Sequence, residues 1–222
     1  MEKNVLVSGN MPYLFPYIGY WQLINAVDKF VIFDTGTFSR HHYVRRNTIA
    51  NNQMFIVELI GAKPSTVVKD LKVDLHSKHN VNVLETIRRT YHKSKYFDDV
   101  YPMIEQIMTM STTNYDEVLI AQIRAICSYL QIKTELILAS EVEQYVPESR
   151  TERVINLIKQ AGGTACFNPA GEELYNKQEF KNNGIDLWFF YTKEKSRLSI
   201  LDYLFNYSIG QIQQTFSNYL LT

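Results

Sequence analysis

The segment that decides the fold runs from Val5 to Phe33 and reads VLVSGNMPYLFPYIGYWQLINAVDKFVIF. It opens with the short β-branched run Val5–Val7 and closes with the continuous apolar run Phe30–Phe33. Between these runs, Gly19–Val27 has the apolar spacing of a helix. A strand, a loop, a helix and a second strand make the smallest parallel crossover unit, whose handedness is nearly fixed. The segment therefore predicts an α/β fold whose second strand is buried on both faces of a parallel sheet.

The rest of the chain continues this alternation of strands and helices. Helices are predicted at residues 81–92, at residues 100–110, at Asp116–Leu130, after a Ser149–Glu152 capping box, and from Leu198 onward. Strands are predicted at Thr134–Ala139, Thr164–Phe167 and Ile185–Tyr191, and a hairpin or sheet extension at Met54–Ile60 with Leu71–Leu75. No repeat or linker divides the sequence. We therefore expect one domain over residues 1–222, with three layers and a mainly parallel, Rossmann-like sheet.

Composition excludes several classes of protein. Of the 222 residues, 45% are hydrophobic and 21% charged, as in globular proteins with a real core. Lys plus Arg and Asp plus Glu balance at 23 each, so the chain has no net positive charge that would favour binding to nucleic acid or to an acidic membrane. No apolar run approaches the ~18 residues of a membrane span. Cys127 and Cys166 each lie in an apolar pattern and predict buried thiols in a reducing compartment, which favours a cytoplasmic location.

The loop between the first strand and the first helix is the strongest candidate for a binding site. In open α/β sheets, ligands bind beside the carboxyl ends of strands, near the free amides of a helix N-terminus. The loop is rich in rings and contains two prolines, which stiffen it. Either these rings line a pocket or they cap the core. The candidate substrate-binding residues here are Pro12, Tyr13, Phe15, Tyr17, Gly19 and Tyr20.

A basic triplet follows the second strand. Arg45 and Arg46 carry guanidinium groups that suit phosphate or carboxylate, and Asn47 can orient such a group. The alternative is a solvated loop whose arginines pair with surface acids. The expected partner is thus a small molecule that bears phosphate or carboxylate, such as a sugar nucleotide. The sequence identifies no cofactor and does not fix the oligomeric state.

Two residues near this triplet are candidates for acid–base chemistry. Asp34 ends the second strand, and His42 carries an imidazole that titrates near neutral pH. Strand-terminal turn chemistry for Asp34 and an exposed loop position for His42 are the alternatives. Further along, Asn168, Gly171 and Tyr175 follow a predicted strand and are candidates for binding a sugar or for forming a tight turn. The remaining histidines lack the spacing of a metal site.

The chain also resembles the WbqC-like protein family. The resemblance is carried, in order, by Pro12–Tyr20, Leu23-Ile24, Asp28, Phe30-Val31, Arg46–Ile49, Asn168–Gly171, Tyr175, Phe180 and Leu198–Asp202. It implies a setting in bacterial surface-polysaccharide (O-antigen) biosynthesis and amino-acyl transfer to an amino sugar. The family pattern has glutamine before the first proline, where this chain has Met11.

A second resemblance concerns Tyr17-Ile18-Gly19-Tyr20, which occupies the place of the His-x-Gly-His motif in nucleotidylyltransferases. It implies a nucleotide-binding ancestry for the N-terminal half. Tyrosine supplies no cation to a transferred phosphoryl group, so the substitution argues against ordinary adenylyl transfer.

Overall fold

The computed structural model describes residues 4–39, 43–143, 149–169 and 174–222. Within these ranges the strands are β1 Leu6–Asn10, β2 Lys29–Ile32, β3 Arg46–Ile49, β4 Gln53–Ile56, β5 Leu59–Ile60, β6 Lys72–Val73, β7 Glu135–Leu138, β8 Ala165–Asn168, β9 Asp186–Thr192 and β10 Tyr219–Leu221. The helices are α1 Ile18–Asn25, α2 Lys78–Tyr91, α3 Phe97–Met108, α4 Tyr115–Tyr129, α5 Ala139–Val142, α6 Arg150–Gln160, α7 Lys177–Asn182, α8 Ile200–Asn206 and α9 Ile209–Gln214.

The central sheet has six strands in the order β10-β9-β8-β1-β2-β7. Every neighbouring pair is parallel except β9 and β10. From β1 the chain builds outward through β2 to β7, and later outward on the other side through β8 to β9. The direction of winding therefore reverses between β1 and β8. The predicted α/β class and the mainly parallel sheet are confirmed.

Helices cover both faces of this sheet. Along β2, Phe30 and Ile32 point into one core, and Val31 points into the other. Helices α1–α4, α8 and α9 pack on the first face, whereas α6 and α7 pack on the second. Because β2 is covered on both sides, its apolar run is continuous, as in other buried parallel strands.

The prediction for the middle of the chain needs correction. The run Met54–Ile60 contributes to two strands, of which β5 pairs antiparallel with β6 as expected. The other, β4, pairs antiparallel with β3, a strand that begins at Arg46 and that the sequence did not predict. Asn51 and Asn52 close this hairpin with φ values of 59° and 55°, and asparagine tolerates this left-handed region better than most residues.

The C-terminus also differs from the prediction of mostly helix. After α9, the short strand β10 pairs with the outer edge of β9. β10 has only three residues, which are too few to show the alternation of apolar and polar side chains that predicts a strand. The Ser149 cap is confirmed, since its hydroxyl accepts the Glu152 amide at 3.1 Å.

The two cysteines lie in different cores. Cys127 belongs to the core on the α4 face, and Cys166 to the core on the α6 face. Burial raises the pKa of each thiol to about 12. Both therefore stay protonated at neutral pH.

Among the described residues, no helix combines the length and the apolar character needed to cross a bilayer.

Candidate functional site

A pocket of about 600 Å³ opens beside the loop that connects β1 to α1. It is lined by Asn10, Met11, Pro12, Tyr13, Tyr17, Tyr43, Val44, Asn47 and Arg197. The loop leaves the carboxyl end of β1, the strand at which the winding of the sheet reverses. In parallel sheets this reversal leaves a crevice where ligands bind.

The loop holds an unusual backbone conformation at Phe15. Its φ is 46°, in the left-handed region that residues other than glycine rarely adopt. Such a conformation persists only where the surrounding structure fixes it. Gln122 of α4 supplies part of this support, because its amide accepts the Phe15 N–H at 2.8 Å and donates to the Tyr13 carbonyl at 2.6 Å.

Two more buried side chains brace the same turn. Asn47 of β3 donates to the carbonyls of Leu14 and Phe15 at 3.1 and 2.7 Å. Ser199, the N-cap of α8, donates its hydroxyl to the Phe15 carbonyl at 2.8 Å. Residues from three distant parts of the chain thus hold the loop in one shape.

This turn divides the aromatic residues of the loop between pocket and core. Tyr13 and Tyr17 line the pocket, whereas Phe15 and Tyr20 are only 0% and 2% exposed and belong to the core. The Tyr20 ring supports the Tyr13 ring in an edge-on contact, with 5.4 Å between their centroids. Of the predicted aromatic wall, the structure therefore brings Tyr13 and Tyr17 to the pocket and uses the other two rings as packing behind it.

The phenols of Tyr13 and Tyr17 are protonated near neutral pH. Burial raises the pKa of Tyr13 and of Tyr17, and the Arg197 charge offsets part of the shift at Tyr17. The Tyr13 hydroxyl oxygen accepts the Tyr17 N–H at 3.3 Å. Both groups can donate a hydrogen bond to a ligand, but neither is poised to take up a proton.

Among the described residues that line the pocket, Arg197 is the one with a cationic side chain. Its guanidinium carbon lies 5.1 Å from the centroid of the Tyr17 ring, and the side chain is exposed. The following residues fix its segment, because the Ser199 N–H donates to Thr48 and the Ile200 N–H donates to Pro16, at 2.8 and 2.9 Å.

Sequence reasoning missed Arg197. The available signal was its place directly before Leu198–Asp202, a block already singled out for its resemblance, which contains the α8 cap Ser199. Only the tertiary contact between that cap and the Phe15 turn shows that the arginine faces the loop.

The predicted basic triplet divides in a similar way. Asn47 lines the pocket, but its amide braces the loop. Arg45 donates to the Val57 carbonyl at 3.3 Å. Arg46 lies 5.9 Å from the ring centroid of Tyr43, a pocket residue that is 58% exposed. Arg46 thus contacts the ring of a pocket residue but is not itself among the residues that line the pocket.

The remaining candidates lie elsewhere. Asp34 is 1% exposed and accepts hydrogen bonds from the Ser140 N–H, at 2.9 Å, and from the Ser140 hydroxyl. Its carboxylate thus joins the end of β2 to the start of α5. Asn168 and Tyr175 form a hydrogen bond with each other at the end of β8, and Tyr175 packs on the core of the α6 face. His42 and Gly171 lie outside the described residues.

Gly19 makes room for the Tyr17 ring. A Cβ atom at Gly19 would lie 2.6 Å from Cε2 of Tyr17, closer than real contacts allow. Gly210 holds the same second position in α9, and a Cβ there would meet no atom within 4 Å.

These two glycines predict opposite effects of alanine. In Gly210→Ala we expect a gain of up to about 1 kcal/mol in the free energy of unfolding, because alanine favours helix. In Gly19→Ala we expect a loss of about 1–2 kcal/mol, because the Tyr17 ring must move from its place under Arg197. Chemical denaturation measures both values. An equal increase in the free energy of unfolding in the two variants would mean that the Tyr17 ring shifts without cost.

Comparisons with known proteins identify the family of the chain. The sequence model of the WbqC-like protein family matches residues 11–214, which include all of the pocket except Asn10. The chain is 26% identical to a Mycobacterium tuberculosis protein described as "Uncharacterized protein Rv1507c", over 93% of this chain and 94% of that protein. No solved structure matches the chain significantly. In place of the family's usual glutamine, Met11 lines the pocket and packs against Gly36.

Proposed function

This chain belongs to the WbqC-like protein family, and we propose that its pocket binds a small molecule with an anionic group, such as a sugar nucleotide. The bound molecule would take part in a transferase step, the transfer of an amino-acyl or related group to a sugar. The setting would be surface-polysaccharide or related small-molecule biosynthesis in bacteria, as the family resemblance implies. The observation that carries the proposal is Arg197, exposed over the Tyr17 ring at the reversal point of the sheet.

The residues that line the pocket suit a ligand with an anionic group attached to a larger, partly apolar part. A guanidinium binds phosphate or carboxylate through two parallel hydrogen bonds. The neutral hydroxyls of Tyr13 and Tyr17 add donors, and their rings offer apolar surface. The eight-residue helix α1 begins at the same loop, so its positive end adds to the attraction for an anion. These features match a Rossmann-like mode of binding, in which phosphate lies at the first crossover.

The proposed transfer step also requires an acid–base group. Asp34 is engaged by Ser140 and lies outside the residues that line the pocket. His42 directly precedes Tyr43, which does line it. We therefore assign the acid–base role to His42 ahead of Asp34 in the transferase proposal.

Isothermal titration calorimetry tests the binding step. Inorganic pyrophosphate, a uridine diphosphate N-acetylated amino sugar and the same N-acetylated sugar without the nucleotide form a matched set of ligands. We expect the sugar nucleotide to bind most tightly and the neutral sugar to bind at least about tenfold more weakly, because it lacks the group that Arg197 recognises. Equal binding of the charged and uncharged sugars would overturn the anion assignment.

A non-catalytic binding protein in the same pathway is the second candidate function. It is favoured because the described residues that line the pocket include no nucleophile with a base beside it, and the phenols of Tyr13 and Tyr17 stay protonated at neutral pH. Mass spectrometry of purified protein incubated with a sugar nucleotide and an amino-acyl donor separates the two candidates. Product that disappears in His42→Ala while ligand binding persists supports an enzyme. Product that persists in Asp34→Asn removes that carboxylate from the chemistry.

A further inference from the structure

Tyr43 is the most exposed of the three tyrosines that line the pocket. Its exposed fraction is 58%, whereas Tyr13 and Tyr17 are half-buried. A single exposed tyrosine is common on protein surfaces and carries no meaning by itself. Tyr43 differs because its ring lies at a pocket and because the protein fixes both its backbone and one side of its ring.

The backbone of the Tyr43–Arg45 turn is anchored to the core. The Val44 carbonyl accepts the hydroxyl of Tyr115 at 3.0 Å and the N–H of Leu14 at 3.2 Å. Val44, Leu14 and Tyr115 are all buried. Because Leu14 belongs to the loop that forms the pocket, its hydrogen bond fixes the turn relative to that loop.

The Tyr43 ring also has two neighbours within the protein. Its centroid lies 6.0 Å from that of the Tyr13 ring and 5.9 Å from the guanidinium carbon of Arg46. A cation is attracted to the electron-rich face of a tyrosine ring. These contacts restrict the rotation of the ring, while more than half of the residue's surface stays open. A ligand therefore meets an aromatic surface that is already in place, which lowers the entropy cost of binding.

Tyr13 connects this ring to the part of the pocket that holds Arg197. The Tyr13 ring contacts Tyr43, and the Tyr13 hydroxyl oxygen accepts the Tyr17 N–H. The Tyr17 ring in turn contacts Arg197. The contacts thus run from an exposed aromatic ring, through two half-buried tyrosines, to an exposed guanidinium. A nucleotide has matching chemistry, since ribose links its planar base to its phosphate groups.

We infer that Tyr43 binds the base of a nucleotide by stacking, while Arg197 binds the phosphate. This inference rests on the proposed function, and it narrows the ligand class of the pocket from anionic molecules to nucleoside phosphates. Stacking on an aromatic side chain suits any base, because every base has a π face. Tyr43 therefore selects for the presence of a base and does not determine which base it is.

Isothermal titration calorimetry with two matched ligands tests the inference. Uridine 5′-monophosphate and ribose 5-phosphate share the phosphate and the ribose, and only the first has a base. We expect the nucleotide to bind about tenfold or more tightly than ribose 5-phosphate, because only the nucleotide can stack on Tyr43.

Two substitutions of Tyr43 separate stacking from simple apolar contact. Tyr43→Leu keeps an apolar side chain but removes the ring, so it should weaken nucleotide binding about tenfold or more and change the affinity for ribose 5-phosphate less than about twofold. Tyr43→Trp should retain the nucleotide affinity or increase it, because the indole offers a larger ring. The matched control is Tyr207→Leu, which removes a tyrosine that is 45% exposed and outside the pocket lining, and it should bind both ligands like the original protein.

Three results would contradict the inference. The first is equal affinity of the original protein for the two ligands, the second is unchanged nucleotide affinity in Tyr43→Leu, and the third is an equal loss for both ligands in that variant. In each case, pyrophosphate binding that depends on Arg197 would leave the proposed function intact. If neither pyrophosphate nor the nucleotide binds to the original protein, the proposed function is wrong and this inference fails with it.

Discussion

Replacement of Gln122 by leucine is expected to lower the free energy of unfolding by about 2–4 kcal/mol. The side chain is fully buried and makes two hydrogen bonds to the loop, one with the Phe15 N–H and one with the Tyr13 carbonyl. Leucine fills much of the same volume but satisfies neither group, so two buried backbone groups lose their partners. The left-handed turn at Phe15 also loses one of the supports that hold it.

Urea denaturation of the purified variant measures this loss. Gln106→Leu is the matched control, since Gln106 is an exposed residue of the neighbouring helix α3 and should change stability by no more than about 0.5 kcal/mol. If Gln122→Leu were as stable as the control, the loop would hold its conformation without the amide, and Gln122 would not be one of its supports.

The largest effect on ligand binding is expected from Arg197→Ala. An ionic hydrogen bond contributes about 1.5–3 kcal/mol, so loss of the guanidinium should raise the Kd for an anionic ligand about 10- to 100-fold. Arg197→Lys should retain part of the affinity, because lysine keeps the charge but lacks the planar fork that binds two oxygens. The stability of the protein should change little, since the side chain is exposed.

Calorimetric titration of pyrophosphate and of the sugar nucleotide measures this effect. Lys195→Ala provides a matched control, since it removes a positive charge from the same segment, two residues before Arg197 and outside the pocket lining. A similar loss of affinity in both variants would show that only the general charge of the segment matters. Unchanged binding in Arg197→Ala would remove the central residue of the proposed function.

The N-terminal crossover could be predicted from the sequence because its signals are local. Short apolar runs, a loop and a helical period follow one another between Val5 and Phe33. The handedness of parallel crossovers is nearly fixed, so little choice of topology is left. The family resemblance was also readable, and the match over residues 11–214 confirms it.

The division of the loop between pocket and core could not be read in the same way. Phe15 and Tyr17 are both aromatic and lie two residues apart, yet Phe15 is buried in the core and Tyr17 lines the pocket. The loop that separates them in this way contains the left-handed turn at Phe15. Nothing local specifies that turn. It depends on Gln122, Asn47 and Ser199, which reach the loop from α4, β3 and the start of α8.

The same reason explains why Arg197 was missed whereas Arg46 was singled out. Two arginines in a row form a conspicuous cluster in a sequence, whereas a single arginine near the C-terminus does not. In the fold, Arg46 lies beside the Tyr43 ring and outside the residues that line the pocket, whereas Arg197, which closely precedes the Ser199 cap, lines the pocket.

The placement of the two cysteines provides a built-in probe of how the protein opens. A thiol reacts as its thiolate, so Cys127 and Cys166 are shielded from alkylation until their surroundings come apart. Each residue monitors a different layer of helices, with no engineered label. Matching alkylation rates would identify a single cooperative event, and a faster rate at one cysteine would identify the layer that separates first.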